Sequence, residues 1–324
     1  MERCCGRPRR HAARAPWHAG RLAAILGTVA LWSAAGAAAQ GAPPAFVEIA
    51  SFSGIPFNGL IPPNPVIAVG GNHILAMTNG DVRIATKTGE VLAAMTLEAF
   101  FAPVAEPSDF ITDPRILFDS GRFFVVAASR RTNPLGSFFL LAVSASADPS
   151  GAWFHYALDA SRDNQTPTQN FADLPSLGID SNSVYLTANM FHQQSLAFAG
   201  AKIRVVRKAP LLAGEPATFF DFPGLNVAGR PVAHILAAHQ LDPSLAGFFL
   251  SVRFPDSCTL DVWRVVSPPS TLPPVCALAI VSASRWFFAR TTSLCSPPFG
   301  MRTLNSNVNI RGLLKGHTAS PGLG

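Results

Sequence analysis

The chain carries none of the short signatures that name a reaction. A Gly-x-Ser-x-Gly elbow and a Gly-rich phosphate loop ending in Gly-Lys-Ser/Thr are both missing, which removes support for serine hydrolase chemistry of that type and for a P-loop nucleotide site. The eight histidines form neither His-x-His nor His-Glu-x-x-His. His73, His155, His192, His234 and His239 are scattered, and the spacing of five between His234 and His239 puts them on opposite faces of a strand. Cysteine is scarce: Cys4 and Cys5 stand in a basic leader, leaving Cys258, Cys276 and Cys295, whose spacing matches no zinc site. Acidic residues are absent from 262–324, whereas 40–261 hold 18 of the 19 in the chain. Sustained helical periodicity is also hard to find.

What is present begins with an export signal. Six arginines precede the apolar run 22–32, and Ala37-Ala38-Ala39 supplies an A-x-A cleavage site before Gln40. The run is short for a span of about 20 apolar residues, so cleavage rather than stable membrane insertion is expected. Removal of residues 1–39 leaves 19 basic against 18 acidic side chains, a near-neutral balance, and residues 40–261 show no basic stripe for nucleic acid. A secreted or periplasmic location follows, where Cys258 and Cys276 are candidates for one disulfide closing a hairpin; connectivity stays open.

The mature sequence repeats a unit in which a Pro-marked turn leads into a short apolar strand and then further strands. Copies begin at Asn64-Pro65-Val66, Asp113-Pro114-Arg115 and Asp173-Leu174-Pro175, with a weaker one near Pro231-Val232-Ala233-His234-Ile235. Their spacing of about 50 to 60 residues is that of propeller blades. Phe123-Phe124-Val125-Val126-Ala127-Ala128 and Phe138-Phe139-Leu140-Leu141-Ala142-Val143 are continuous apolar runs, as expected of strands covered on both faces. Asn79-Gly80 favours the positive φ angles of a tight hairpin. Residues 92–101 fit one short helix or another strand. Ser146 to Trp153 resembles an Asp-box turn between outer strands, with an extra residue before Gly151.

These units, with Phe171 to Gly178 and Val184 to Phe191 as the most specific stretch, resemble a group of secreted bacterial β-propeller-like proteins of unassigned function. The resemblance covers about 62–252 and implies fold and export, not catalytic residues. The expected fold is all-β and propeller-like, with four or more blades and an incomplete C-terminal end. The expected layout is a signal peptide at 1–39, a lead-in at 40–61, the propeller-like domain at 62–261, and a divergent tail or damaged last blade at 262–324.

The function expected from neutral charge and missing signatures is a non-enzymatic propeller binding an extracellular protein or glycan. The alternatives are a propeller-type glycan hydrolase and an inactive truncated copy. For the hydrolase, Asp113 and Asp173 are the acid and nucleophile candidates, among the recurring Asp109, Asp113, Asp173 and Asp180, although Asp beside Pro commonly caps a turn. Arg115, Arg130, Arg131 and Arg204 show no spacing that makes them converge on a substrate carboxylate. No cofactor is expected except calcium, for which Asp159, Asp163 and Asn164, with Asn170, form an oxygen-rich loop of no EF-hand spacing.

Overall fold

A computed structural model describes residues 48–242, 246–252, 260–266 and 279–283. From Phe52 onward these form one compact unit of four antiparallel four-stranded sheets, each in sequential strand order. Blade 1 comprises β1 (Val66–Val69), β2 (His73–Met77), β3 (Asp81–Thr86) and β4 (Val91–Thr96). Blade 2 comprises β5 (Phe110–Asp119), β6 (Arg122–Thr132), β7 (Leu135–Ser144) and β8 (Trp153–Asp159). A hairpin, β9 (Arg162–Asp163) and β10 (Thr166–Pro167), leads to blade 3: β11 (Asn170–Ile179), β12 (Ser183–His192), β13 (Phe198–Arg207) and β14 (Phe219–Phe222). A second hairpin, β15 (Asn226–Val227) and β16 (Arg230–Pro231), precedes blade 4: β17 (Leu236–Ala237), β18 (Ala246–Val252), β19 (Leu260–Val266) and β20 (Ala279–Ala283). The all-β, propeller-like expectation therefore holds. β19 and β20 lie largely in the stretch expected to be a tail, so the fourth blade extends past 261. The leader, Cys258 and Cys276 lie outside the described residues.

The continuous apolar runs have the predicted cause. Along β6, Phe123, Val125 and Ala127 pack toward blade 1 with Leu75, Met77, Val82 and Ile84. Phe124 and Val126 point the other way, into a core shared with Leu177, Ile179, Val184 and Leu186 of blade 3. Strand side chains alternate faces, so an element buried on both sides needs apolar residues at every position. A third core joins blades 3 and 4 through Tyr185, Ile203 and Val205 against Phe249, Trp263 and Val265. Residues 92–101 resolve as both readings in turn: β4 ends at Thr96, whose Oγ1 accepts from the Ala99 N–H to cap the short helix α1 (Leu97–Phe101). After β13, Lys208–Ala213 forms α2, closed by Gly214 in the left-handed conformation.

The hairpin between β7 and β8 has the expected turn chemistry. Asp148 Oδ1 accepts from the Ser150 N–H and hydroxyl, and Trp153 Nε1 donates to the Pro149 carbonyl at 2.8 Å. Close packing also sets blade spacing. A Cβ on Gly178 of β11 would stand 2.5 Å from the Ala238 carbonyl oxygen, backbone that cannot rotate away. Gly178→Ala should lower unfolding stability by about 1 to 3 kcal/mol, the usual range for overpacking. Gly71→Ala, with open space around its Cβ, should change it by less than about 1 kcal/mol. Denaturant unfolding of both variants checks this, and equal effects would show that the blade 3 contact does not set the spacing.

Candidate functional site

The four blades enter their innermost strands in the same unusual way. Asn64, Asp113, Leu174 and His234 all have positive φ, at 43°, 56°, 49° and 52°, and the first three are each followed by proline. Side chains with a Cβ seldom adopt this conformation, with Asn, Asp and His the most tolerant. In blades 2 and 3 the residue belongs to a bulge: the ladder slips between Thr112 and Arg115 and again between Asp173 and Ser176. A proline has no N–H to give to the ladder, and a bulge removes that demand while re-aiming the neighbouring side chain.

Asparagines lock this arrangement from one blade to the next. Asn79 Oδ1 accepts from the Asp113 N–H at 2.7 Å, and Asn189 Oδ1 accepts from the His234 N–H at 2.8 Å. Asn79 Nδ2 also reaches back to the Pro62 carbonyl at 3.0 Å. Asn64 Nδ2 donates to the buried carboxylate of Asp113. Asp173 stands opposite Asn189 in the blade 3 ladder. Burial raises the Asp173 carboxyl above the ordinary range, and the nearby Asp113 charge raises it further. The Leu174 N–H and His234 pull in the opposite direction without reversing the effect. Asp113 and Asp173, the two catalytic candidates, are thus brought within electrostatic reach of each other from neighbouring blades.

The other candidates have structural partners. Burial disfavours the Asp109 charge, but Arg131, donating at 2.6 and 3.1 Å, and the Glu106 N–H together hold the carboxyl below its ordinary value. Asp180 caps a turn, accepting from the Asn182 and Ser183 N–H groups and the Tyr185 hydroxyl. Arg204 pairs with Asp221 in the interior, Arg130 lies 4.0 Å over the Phe171 ring, and Arg115 donates to the Pro114 carbonyl. The arginines do not converge.

The oxygen-rich loop is likewise divided among separate partners. Asp159 binds the Ser161 hydroxyl and Arg162, Asp163 pairs with Lys202 at 2.7 Å, and Asn164 exchanges hydrogen bonds with Asp221. Among the described residues no three His, Cys, Asp or Glu side chains gather as a metal site. His234 and His239 lie on either side of β17 and share no strand, and His234 occupies the blade 4 entrance. The signal for that entrance was its place in the repeat rather than any histidine pattern.

No protein-family model matches the chain, and no curated protein does. Solved structures do resemble it, among them GH43 enzymes, a polysaccharide lyase and a neuraminidase-like protein. An endo-arabinanase of Bacillus licheniformis shares 17% identity over 63% of this chain and 71% of its own, with a TM-score of 0.36. A mutant α-L-arabinanase of Cellvibrio cellulosa shares 15% over 64% and 71%, with a TM-score of 0.36. An exo-1,5-α-L-arabinanase from a bovine ruminal metagenomic library shares 11% over 68% and 78%, with a TM-score of 0.36. Against the expectation of a non-enzymatic binding propeller, these neighbours are named as glycan-cleaving enzymes. At such identities the likeness extends to fold alone, so any chemistry must be argued from the site. Among the described residues no helix is long and apolar enough to cross a membrane.

The raised proton affinity of Asp173 has a testable sign. Its folded-state value lies above the unfolded value of about 3.9, so the folded chain holds a proton where the unfolded chain has released it. The resulting loss of stability is absent below that unfolded value and reaches its full size once pH rises past the folded value. Asp173→Asn should therefore raise Tm at pH 7 and give no gain at pH 3. Asp109→Asn should behave oppositely, lowering Tm at pH 7 and losing its effect in acid, because the Asp109 value is depressed. Thermal unfolding at the two pH values checks both; a pH-independent gain for Asp173→Asn would remove charge as its cause.

Proposed function

We propose that this protein is an exported propeller-type glycan hydrolase with Asp173 as its acid and Asp113 as the partner carboxyl, the reverse of the roles first assigned to them, because it is Asp173 whose proton affinity is raised. The observation that carries the proposal is their coupling across neighbouring blade entrances, which pushes the Asp173 carboxyl up. Two carboxyl groups of unequal proton affinity are the minimum equipment for cleaving a glycosidic bond. Asp173, whose proton affinity is raised, delivers a proton to the departing glycosidic oxygen as the anomeric carbon–oxygen bond breaks. Asp113, oriented by Asn64 and tied through its N–H to Asn79, supports attack at the anomeric carbon as the carboxylate. Water is consumed and each product leaves with a hydroxyl. The basic leader and A-x-A site support delivery outside the cytoplasm, where polymeric glycans are met.

Release of reducing ends from a panel of neutral and acidic polysaccharides tests this reading. Asp113→Asn and Asp173→Asn should each reduce kcat/KM by about 10²-fold or more, the lower range for loss of acid–base participation. Asp173→Asn should be the less damaging of the two on an aryl glycoside, whose leaving group needs little protonation. Turnover that survives both substitutions would sink the assignment.

A further inference from the structure

We infer that Arg130 and Gln193, where blades 2 and 3 meet, bind the carboxylate of an acidic sugar, so that the glycan is one that contains uronic acid. The inference rests on the hydrolase reading and adds its substrate class. Arg130 stands near the end of β6, paired in register with Phe110, and reaches across to blade 3. There its guanidinium carbon lies 4.0 Å over the Phe171 ring, and its Nη2 donates to the Gln193 carbonyl at 2.8 Å. Among the described residues Arg131, Lys202, Arg204 and Lys208 each pair with a carboxylate, and Arg130 pairs with none. The side chain is half-buried, and its Nε is wholly buried without a hydrogen-bond partner. An aromatic face offsets part of the cost of desolvating a guanidinium; a carboxylate, which accepts charge-assisted hydrogen bonds, offsets more.

Gln193 points the same way. It is 5% exposed, yet neither its side-chain oxygen nor its side-chain nitrogen has a partner. A buried amide left idle costs stability, and folded chains seldom keep one without a use. Its backbone carbonyl is the group that Arg130 touches, so two unsatisfied polar side chains belong to one locality. They offer two N–H donors and one carbonyl acceptor. A carboxylate takes the donors and a ring hydroxyl fills the acceptor, a combination that a uronic acid carries within one sugar. A neutral sugar leaves the guanidinium without a counter-charge. Phe171 and Asp173 are two apart in a regular stretch of the β11 ladder, so they project from one face with about 7 Å between them along the strand. The ring beneath the guanidinium thus shares its face with the candidate acid.

The test is a glycan array of uronic-acid oligosaccharides and their neutral counterparts, probed with the exported chain, Arg130→Met and Gln193→Met, alongside Tm and turnover. Acidic ligands should bind at least tenfold more tightly than neutral ones, and Arg130→Met should abolish that preference. Because Arg130 also joins two blades, Gln193→Met is the variant that separates a ligand contact from a folding defect. Replacing an idle buried amide with an apolar group of similar size should hold or raise Tm, while acidic-glycan binding falls at least fivefold. Equal or tighter binding of neutral glycans, a preference that survives Arg130→Met, unchanged binding or a lowered Tm for Gln193→Met, or no binding to any glycan would overturn the inference. Selective binding of acidic glycans without turnover of any would uphold it and remove the hydrolase reading; turnover of neutral glycans alone would do the reverse.

Discussion

The positive-φ residue at the mouth of each blade is the constraint from which the rest of the axial geometry follows. The prolines after Asn64, Asp113 and Leu174 cannot donate to a ladder, and the chain accommodates two of them in bulges that break the regular pairing of β5 and β11. A bulge alone would leave a strained backbone with a free N–H. Asn79 of blade 1 supplies the missing acceptor at the β5 bulge, and Asn189 of blade 3 supplies one to the positive-φ His234 at the blade 4 entrance, so local strain in one blade is stabilised by a side chain of its neighbour. Blade position and axial side-chain position are consequently fixed together. Asn79 sits where a hairpin already demands Asn-Gly, and one residue serves the turn, the Pro62 carbonyl and the Asp113 N–H.

Buried charge performs a second registering task at the blade 2 to blade 3 connection. Arg204 and Asp221 are wholly buried, join β13 to β14, and stack against Phe219 with the guanidinium carbon 3.9 Å from the ring centre. Asn164 binds Asp221, and Lys202 donates to the Ala160 and Arg162 carbonyls as well as pairing with Asp163. Burial disfavours the Lys202 charge, while Asp163 and Asp221 partly restore it. Such pairs add little net stability compared with apolar packing, but removal of one partner strands the other in the interior. Their value lies in selecting one placement of the β9–β10 hairpin. Lys208 does the same elsewhere, bridging Asp119 of blade 2 and the Asp180 carbonyl of blade 3.

Strands and blade starts were legible because they depend on local pattern. The run from Phe123 to Ala128 announces two covered faces, and Pro65, Pro114 and Pro175 mark the entrances. The electrostatic pairing of Asp113 with Asp173 was only half legible: both stood out as repeated carboxylates, but their approach depends on two blades lying side by side. The partners of the 159–170 loop were illegible for the same reason: Lys202, Arg204 and Asp221, which are brought against its oxygens, lie some 40 to 60 residues onward. Composition describes a loop's side chains and is silent about the partners that satisfy them. Leu174 was invisible in sequence because leucine before proline reads as ordinary strand until its φ is known.

The placement of the carboxyl pair also follows from packing. Among the described residues there are three inter-blade cores for four blades, and the outer face of each terminal blade is apolar and open: Ile67 is 63% exposed on blade 1 and Leu236 is 61% exposed on blade 4. Asp113 and Asp173 belong to the two central blades, joined by the large core around Phe124, Phe139, Ile179 and Leu186. Their separation is set there and does not depend on what covers the terminal faces. The terminal blades reach the pair through Asn64 and Asn79, both bonded to Asp113, and through His234, which acts on Asp173 by charge. Acid–base geometry tolerates little displacement. A carboxyl pair placed on the two central blades, which share a core of their own, is suited to that demand.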